Sequence, residues 1–401
     1  MKIKVLLTLA LTTGALSTLP AQAQNLTHAL EQAWTRSPLT AVNDARLFEA
    51  QARAESSNTW LPGAATVSAA LLNDQLNANR GRQEMELEVA VPLWLPGQRA
   101  ARQAEASRIH NDVIARNQVL RLQLAAELRD AWWAVAGARN TLLLAAQRTE
   151  TARTLEADVM RRYKAGELAR VDFNLAQGEH LTAQAEQSDA QNALLQAEQV
   201  YRSITGVAAP TELPSESVVA QRAVSVDHPL LVAATASVQL AQARLKLVQE
   251  SRRDAPNLAA RVVTGRADAA ESYANAFGIK LTLPLSFGPR VRQESAAALA
   301  ELAQSQADLE LVARKVALDI DRTHQEWMTA QSQLTGVQKR RVLSMDTVVM
   351  AEKSFALGES DLASLLRARA ADFDAQAALN RQHINAATTV SRLNQAMGVL
   401  P

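Results

Sequence analysis

Residues 84–97 read EMELEVAVPLWLPG, and the opening of this stretch alternates without a fault. Met85, Leu87, Val89 and Val91 fall on one face, Glu86, Glu88 and Ala90 on the other. Period-two alternation over about ten residues marks a strand with one oily and one wet face, and about ten residues is also the span of a membrane-crossing strand. Trp94-Leu95-Pro96-Gly97 follows. The same tetrapeptide, WLPG, stands at 60–63, so it brackets a weaker strand near 64–72 and the polar turn NDQLNANRG. Pro-Gly ends regular structure, and tryptophan favours the boundary between apolar and aqueous phases. Trp60 and Trp94 are therefore expected at a membrane–water interface. An ordinary soluble hairpin with buried tryptophans would show the same local pattern.

The pattern returns. FGIKLTLPL (277–285) sets Phe277, Ile279, Leu281, Leu283 and Leu285 against Gly278, Lys280 and Thr282, after a weaker strand near 258–265 and the turn GRADAAES. Hairpins are thus expected at 64–93 and 258–287, with Phe287 as the second copy's interface aromatic. Other segments repeat in the same order. SPLTAVNDARLFEAQAR (37–53) aligns with HPLLVAATASVQLAQAR (228–244), and VPLWLPGQR (91–99) with LPLSFGPR (283–290). GELARVDFNLAQ (166–177) aligns with GESDLASLLRAR (358–369), and SITGV (203–207) with QAMGV (395–399). Four anchors in register describe a tandem duplication. The first repeat covers 24–206 and the second 228–398, with a linker or equatorial segment at 207–227.

Between anchors the periodicity becomes helical. From Gln98 to Ala165 there is no proline, and Val113, Leu120, Leu124, Leu128, Trp132 and Val135 recur at helical spacing. About 68 residues make a helix of roughly 100 Å. Such a helix needs partners along its whole length. Segments 26–59 and 173–206 are each about half as long and would match it stacked end to end. The second copy repeats this with 290–357 long, and 228–254 and 365–397 short. In both copies a glycine breaks the cadence, RYKAGELARVDF (161–172) and SFALGESDLASL (354–365). Gly166 and Gly358 read as left-handed helix C-caps. Asp172 reads as the next N-cap, and Ser360, Asp361 or Ser364 fills that role in the second copy.

The N-terminus carries Lys2 and Lys4, the apolar run VLLTLALTTGAL, and AQA at 21–23. This is the pattern of a secretory signal peptide over 1–23. No later stretch has the 18 apolar residues of a transmembrane helix. The 401 residues include no cysteine, so neither a disulfide nor a lipidated N-terminal cysteine is possible. With 42 basic and 41 acidic residues there is no basic excess to bind nucleic acid. Only 4% of residues are aromatic, a composition suited to long helices.

Four strands cannot close a barrel, and lipid does not tolerate open edges. The chain is therefore expected to assemble with copies of itself. Three copies give twelve strands, although the arithmetic also admits a dimer or tetramer.

The duplicated layout, the turns YKAGELARVDFNLAQ and FALGESDLASLLRAR, and the proline-containing strand ends resemble the TolC family of outer-membrane efflux channels over about residues 26–398. The resemblance implies a mainly α chain with a β-barrel part, forming a homotrimer of one twelve-stranded transmembrane barrel on a long helical barrel in the periplasm. It implies passive export of substrates handed over by an inner-membrane pump of the resistance-nodulation-division type through a periplasmic adaptor. Gly166, Glu167, Leu168, Asp172, Gly358, Glu359, Ser360 and Asp361 would then form the tip that meets the adaptor. The AGELARVDFNLAQGE tip and the short chain look most like the heavy-metal (cobalt–zinc–cadmium type) branch. Two departures stand out. Many relatives carry a lipidated cysteine, and many place aspartates in the second tip helix, where this chain has Ser364 and Arg367. The entrance constriction implied by the family would thus be formed by Asp172, Ser364 and Arg367, with Asp361 as a shifted acidic substitute.

The six histidines (28, 110, 180, 228, 324 and 383) are scattered, with no HExxH, phosphate-cradling loop or nucleophile elbow. No catalytic residue, cofactor or resident metal is expected. The competing reading is a soluble periplasmic coiled-coil adaptor or scaffold. It accounts for the helices and the signal peptide, but not for strands of membrane-spanning length between WLPG boundaries.

Overall fold

The computed structural model describes residues 25–219, 225–285 and 288–401. The signal peptide expected at 1–23 and Phe287 lie outside them. The first repeat runs α1 (Leu26–Arg36), α2 (Pro38–Ser57), β1 (Thr66–Asn73), β2 (Gln83–Pro92), α3 (Gln98–Lys164) and α4 (Arg170–Thr205). The second runs α5 (Pro229–Glu250), β3 (Asn257–Arg266), β4 (Ala274–Thr282), α6 (Pro289–Ala356) and α7 (Leu362–Ala396). At 67 and 68 residues, α3 and α6 each extend about 100 Å.

Expected as one helix, 26–59 is two. Pro38 forces the preceding Ser37 into extended backbone (ψ 130°), and the Ser37 hydroxyl then caps α2 by accepting from the Leu39 N–H. His228-Pro229 starts α5 in the same way, the imidazole Nδ1 accepting from the Leu230 N–H at 3.2 Å.

The central helix is α3. It packs against α2 and α4, stacked end to end on one side, and against α5 and α7, stacked on the other; α6 lies outside α5 and α7. The α3–α4 seam shows why these helices run together for so long. Ala145, Ala152 and Val159 of α3 and Ala176, Ala183 and Ala190 of α4 are buried at seven-residue intervals. A strict heptad keeps the seam facing its partner, and alanine lets the backbones approach. They approach closely enough for the Thr149 hydroxyl to reach the Ala183 carbonyl at 3.0 Å. Arg148 flanks the seam, pairing with Glu179 at 2.8 Å and Glu186 at 2.6 Å.

At mid-height α1 covers a core of Leu26, Leu30, Leu128, Trp132, Val135 and Tyr201. The linker is fixed there by side chains distant in sequence. Buried Arg129 pairs with both Glu216 carboxylate oxygens at 2.7 and 3.0 Å, and also donates to the Gln395 side chain and the Val399 carbonyl. Asn394 donates to the Ser217 carbonyl and accepts from the Val219 N–H. Arg139 holds the carbonyls of Ala209, Pro210 and Thr211.

His228, buried beside this belt, donates from Nε2 to the Ala396 carbonyl at 3.1 Å while Nδ1 accepts, so the site needs a neutral ring. Burial lowers its pKa below the ordinary value. The unfolded chain then takes up a proton near pH 6.5 that the folded chain resists, so the His228 contribution is complete above that pH and is lost on acidification. Thermal unfolding of wild type between pH 8 and 5 is expected to show this loss, and H228N, which keeps a cap but cannot protonate, is expected to flatten it. An equal slope in both would contradict the assignment.

Candidate functional site

One antiparallel sheet, ordered β1-β2-β3-β4, stands at the end where α3 and α6 begin. Its register separates two faces. Across the strands, Leu71 lies opposite Met85; Ala69, Leu87, Val262 and Phe277 form one row, and Val67, Val89, Ala260 and Ile279 the next. This face is apolar throughout the middle of the sheet. Phe277 is 83% and Ile279 82% exposed, and among the described residues no helix packs on the sheet. An apolar surface of this extent left bare is out of place in water.

The other face carries charge. Glu84, Glu86 and Glu88 form a column on β2. Arg82 meets Glu84 at 3.5 Å, Arg261 of β3 meets Glu86 at 3.2 Å, and Lys280 of β4 meets Glu88 at 3.3 Å. The alternation in the sequence puts Lys280 on the wet side. That Arg261 and Lys280 pair with the glutamates follows only from the register. Among the described residues, the outer edges of β1 and β4 have no strand partner.

At the foot of the sheet, the Trp94 indole N–H donates to the Thr59 carbonyl and Arg102 lies 5.8 Å over its ring. Trp60 is 91% exposed. Both lie beside the strand ends. No helix among the described residues is long and apolar enough to cross a membrane.

The far end holds the two glycine turns, and both are Schellman motifs. Gly166 has φ +81°; its N–H donates to the Tyr163 carbonyl, and the Glu167 N–H to that of Arg162. Gly358 has φ +75°, with the same pair of bonds from Gly358 to Phe355 and from Glu359 to Ser354. Asp172 is not the N-cap expected. Ala169 holds that place, and Asp172 sits three residues later, its carboxylate accepting from the Ala169 N–H at 3.1 Å. Alanine has no side-chain oxygen, so half of a capping box is made. In the second turn Asp361 is the cap, accepting from the Ser364 N–H at 2.9 Å, rather than Ser360 or Ser364. The Ser364 hydroxyl and N–H hold the Asp361 carboxyl below its ordinary pKa. Arg367 donates to the Ser364 hydroxyl at 3.1 Å and stays exposed.

The two turns share one core, which the sequence does not announce. Leu155 and Val159 of α3, Ala176 of α4, Phe355 of α6, and Leu362 and Leu365 of α7 are buried together, with Leu168 and Phe173 against them. Arg162 of the first repeat lies 5.4 Å over the Phe355 ring of the second. Nothing in the local spacing signals this, because the contact joins positions about 190 residues apart.

Residues 222–399 match the family model described as outer membrane efflux protein. No curated protein matches the chain. Among solved structures, it is similar to the outer membrane protein VceC of Vibrio cholerae, with 16% identity and a TM-score of 0.77 over 93% of this chain and 96% of that one. A membrane protein from Pseudomonas aeruginosa gives 18% identity and 0.76, covering 93% of each chain. CusC, whose structures concern folding and transmembrane channel formation, gives 14% and 0.78, covering 94% of this chain and 92% of that one. At such identities the likeness speaks for the fold, which extends over nearly the whole chain.

Proposed function

We propose that the chain, whose residues 222–399 match the outer membrane efflux protein model, assembles as three copies that close into a channel and passively export substrates across the outer membrane. The observation that carries this reading is the four-stranded sheet with one bare apolar face and two open edges. Joining β4 of one copy to β1 of the next removes every edge, and twelve strands make a barrel wide enough to conduct. Alternation then assigns the apolar rows to lipid and the charged rungs to the lumen.

The helices support the same closure. On the outer flank of α6, Leu311 and Leu318, Val342 and Val349, and Leu343 and Met350 are exposed at seven-residue spacing. On the opposite flank of the chain, Leu39, Val42 and Phe48 of α2 and Leu181 and Leu195 of α4 are exposed. These are coiled-coil seams without partners among the described residues, and a ring of copies pairs them. The turns at Gly166 and Gly358 form the periplasmic mouth. There Glu167, Leu168, Asp172, Glu359, Ser360 and Asp361 meet a periplasmic adaptor, through which an inner-membrane pump of the resistance-nodulation-division type delivers cargo. Asp172, Ser364 and Arg367 line the entrance. The likeness of the tip to the heavy-metal branch makes metal cations the cargo class to test first.

Extracted from the membrane fraction in mild detergent, the unheated protein is expected to run and scatter as a species of about three chain masses that heating converts to the monomer. Recovery as a water-soluble monomer or dimer would replace the channel by a periplasmic coiled-coil scaffold. Loss of the chain is expected to sensitise cells to cobalt, zinc or cadmium salts; unchanged tolerance to all three would remove the cargo assignment and leave the channel standing.

A further inference from the structure

We propose that the membrane pore is charge-compensated by construction: Arg82, Arg261 and Lys280 neutralise a column of three lumenal glutamates, so the barrel passes solutes without regard to the sign of their charge. The inference rests on the channel reading and goes beyond it to selectivity.

Glu84, Glu86 and Glu88 alternate along one strand, about 7 Å apart from one to the next. Left alone, such a column repeated around a barrel would concentrate cations and repel anions. It is not left alone. Each carboxylate meets one base, at 3.5, 3.2 and 3.3 Å in turn. The bases come from three places: the start of β2, β3 and β4. Among the described strand residues no other titratable side chain occupies this face. On β1 it presents Thr66, Ser68, Ala70 and Leu72; on β3, Asn257, Ala259, Val263 and Gly265; on β4, Ala274, Ala276, Gly278 and Thr282. The remaining nearby charges, Asp74, Arg80, Arg266, Asp268 and Glu271, belong to the hairpin ends.

The fold also makes room for the bases. Gly278 lies opposite Arg261, and a Cβ there would stand 3.0 Å from Arg261 Nε and 3.3 Å from its Cγ. A larger residue would push the guanidinium off the wall. Lys280 lies opposite Ala259, itself opposite Ala90, so short side chains let the lysine lean across β3 to Glu88. Three equal and opposite pairs leave no net charge on the wall of each protomer, and three protomers leave none around the ring. Selection by charge is then left to other parts of the export route.

The test is single-channel recording of the detergent-purified trimer in planar bilayers at about 0.1 M salt, where the screening length is near 10 Å. Trivalent probes, hexaamminecobalt(III) or hexacyanoferrate(III), are added on the barrel side. Wild type is expected to respond weakly and about equally to both. In R261Q/K280Q the half-blocking concentration of hexaamminecobalt is expected to fall at least about tenfold, and in E86Q/E88Q that of hexacyanoferrate should do so instead. The exchanged variant E86R/R261E/E88K/K280E keeps the pairing and is expected to behave as wild type, which separates charge from shape. Strong cation block in wild type, or no gain of block in R261Q/K280Q, overturns the proposal while the channel stands. Intact trimers that carry no current remove the channel reading itself, and the proposal with it.

Discussion

Replacing Gly166 and Gly358 together by isoleucine is expected to cut export at least tenfold while the heat-modifiable trimer still forms in the outer membrane. Both glycines occupy the left-handed region, at φ +81° and +75°, where a side chain with a Cβ costs about 1–2 kcal/mol and a β-branched one more. Space is not the obstacle, since a Cβ at either site would meet nothing within 4 Å. The penalty is conformational, and the turn can escape it only by giving up the two reciprocal bonds that end each long helix. The sheet lies about 100 Å away along α3 and does not feel the change. Asparagine tolerates left-handed backbone, so G166N/G358N is expected to export nearly normally. The readout is tolerance to a toxicant panel, metal salts included, in cells that depend on this chain, with unheated electrophoresis as the assembly control. Wild-type export from the isoleucine variant would remove the reason for placing function at these turns.

The second large effect is expected at mid-height. Arg129→Ala should cost about 3–5 kcal/mol, because it strands Glu216 in a nearly closed site and leaves the Gln395 side chain and the Val399 carbonyl without their donor. Arg129 is 3% exposed and its partner Glu216 13%. The doubly apolar variant R129M/E216L is expected to recover most of the loss, since two buried charges of opposite sign are removed together. Thermal unfolding in detergent measures the stability, and limited proteolysis within 207–219 reports whether the linker has come away. An R129A protein as stable and as protease-resistant as wild type would contradict the assignment.

The parts of the fold that follow a period were legible. Alternation at 84–91 and 277–285 yields strands within three residues of those observed, and the long proline-free stretches yield α3 and α6 within one. Duplication made each reading a check on the other. The break at Ser37-Pro38 is legible only through the repeat, where the equivalent His228-Pro229 opens a helix. Asp172 was misplaced by three residues, because a carboxylate that reaches back to an earlier N–H looks, in sequence, like one that starts the helix. The belt at Arg129, Arg139 and Asn394 had no local signal. Its bonds span 70 to 270 residues, and a lone arginine on a helical face reads the same whether it meets water or Glu216. The lumenal rungs fall between these cases. Parity assigns Lys280 to the wet face, but choosing Glu88 as its partner requires the register of two further strand pairs.

The shared core beneath the two turns has a mechanical consequence. Leu155, Val159 and Leu168 from the first repeat interlock with Phe355, Leu362 and Leu365 from the second, so neither helical hairpin can swing outward without opening an apolar seam to water. The two hairpins of one protomer are coupled and must tilt together. In the proposed threefold mouth this would give three rigid leaves rather than six, and a push applied to either hairpin of a protomer would move one third of the aperture.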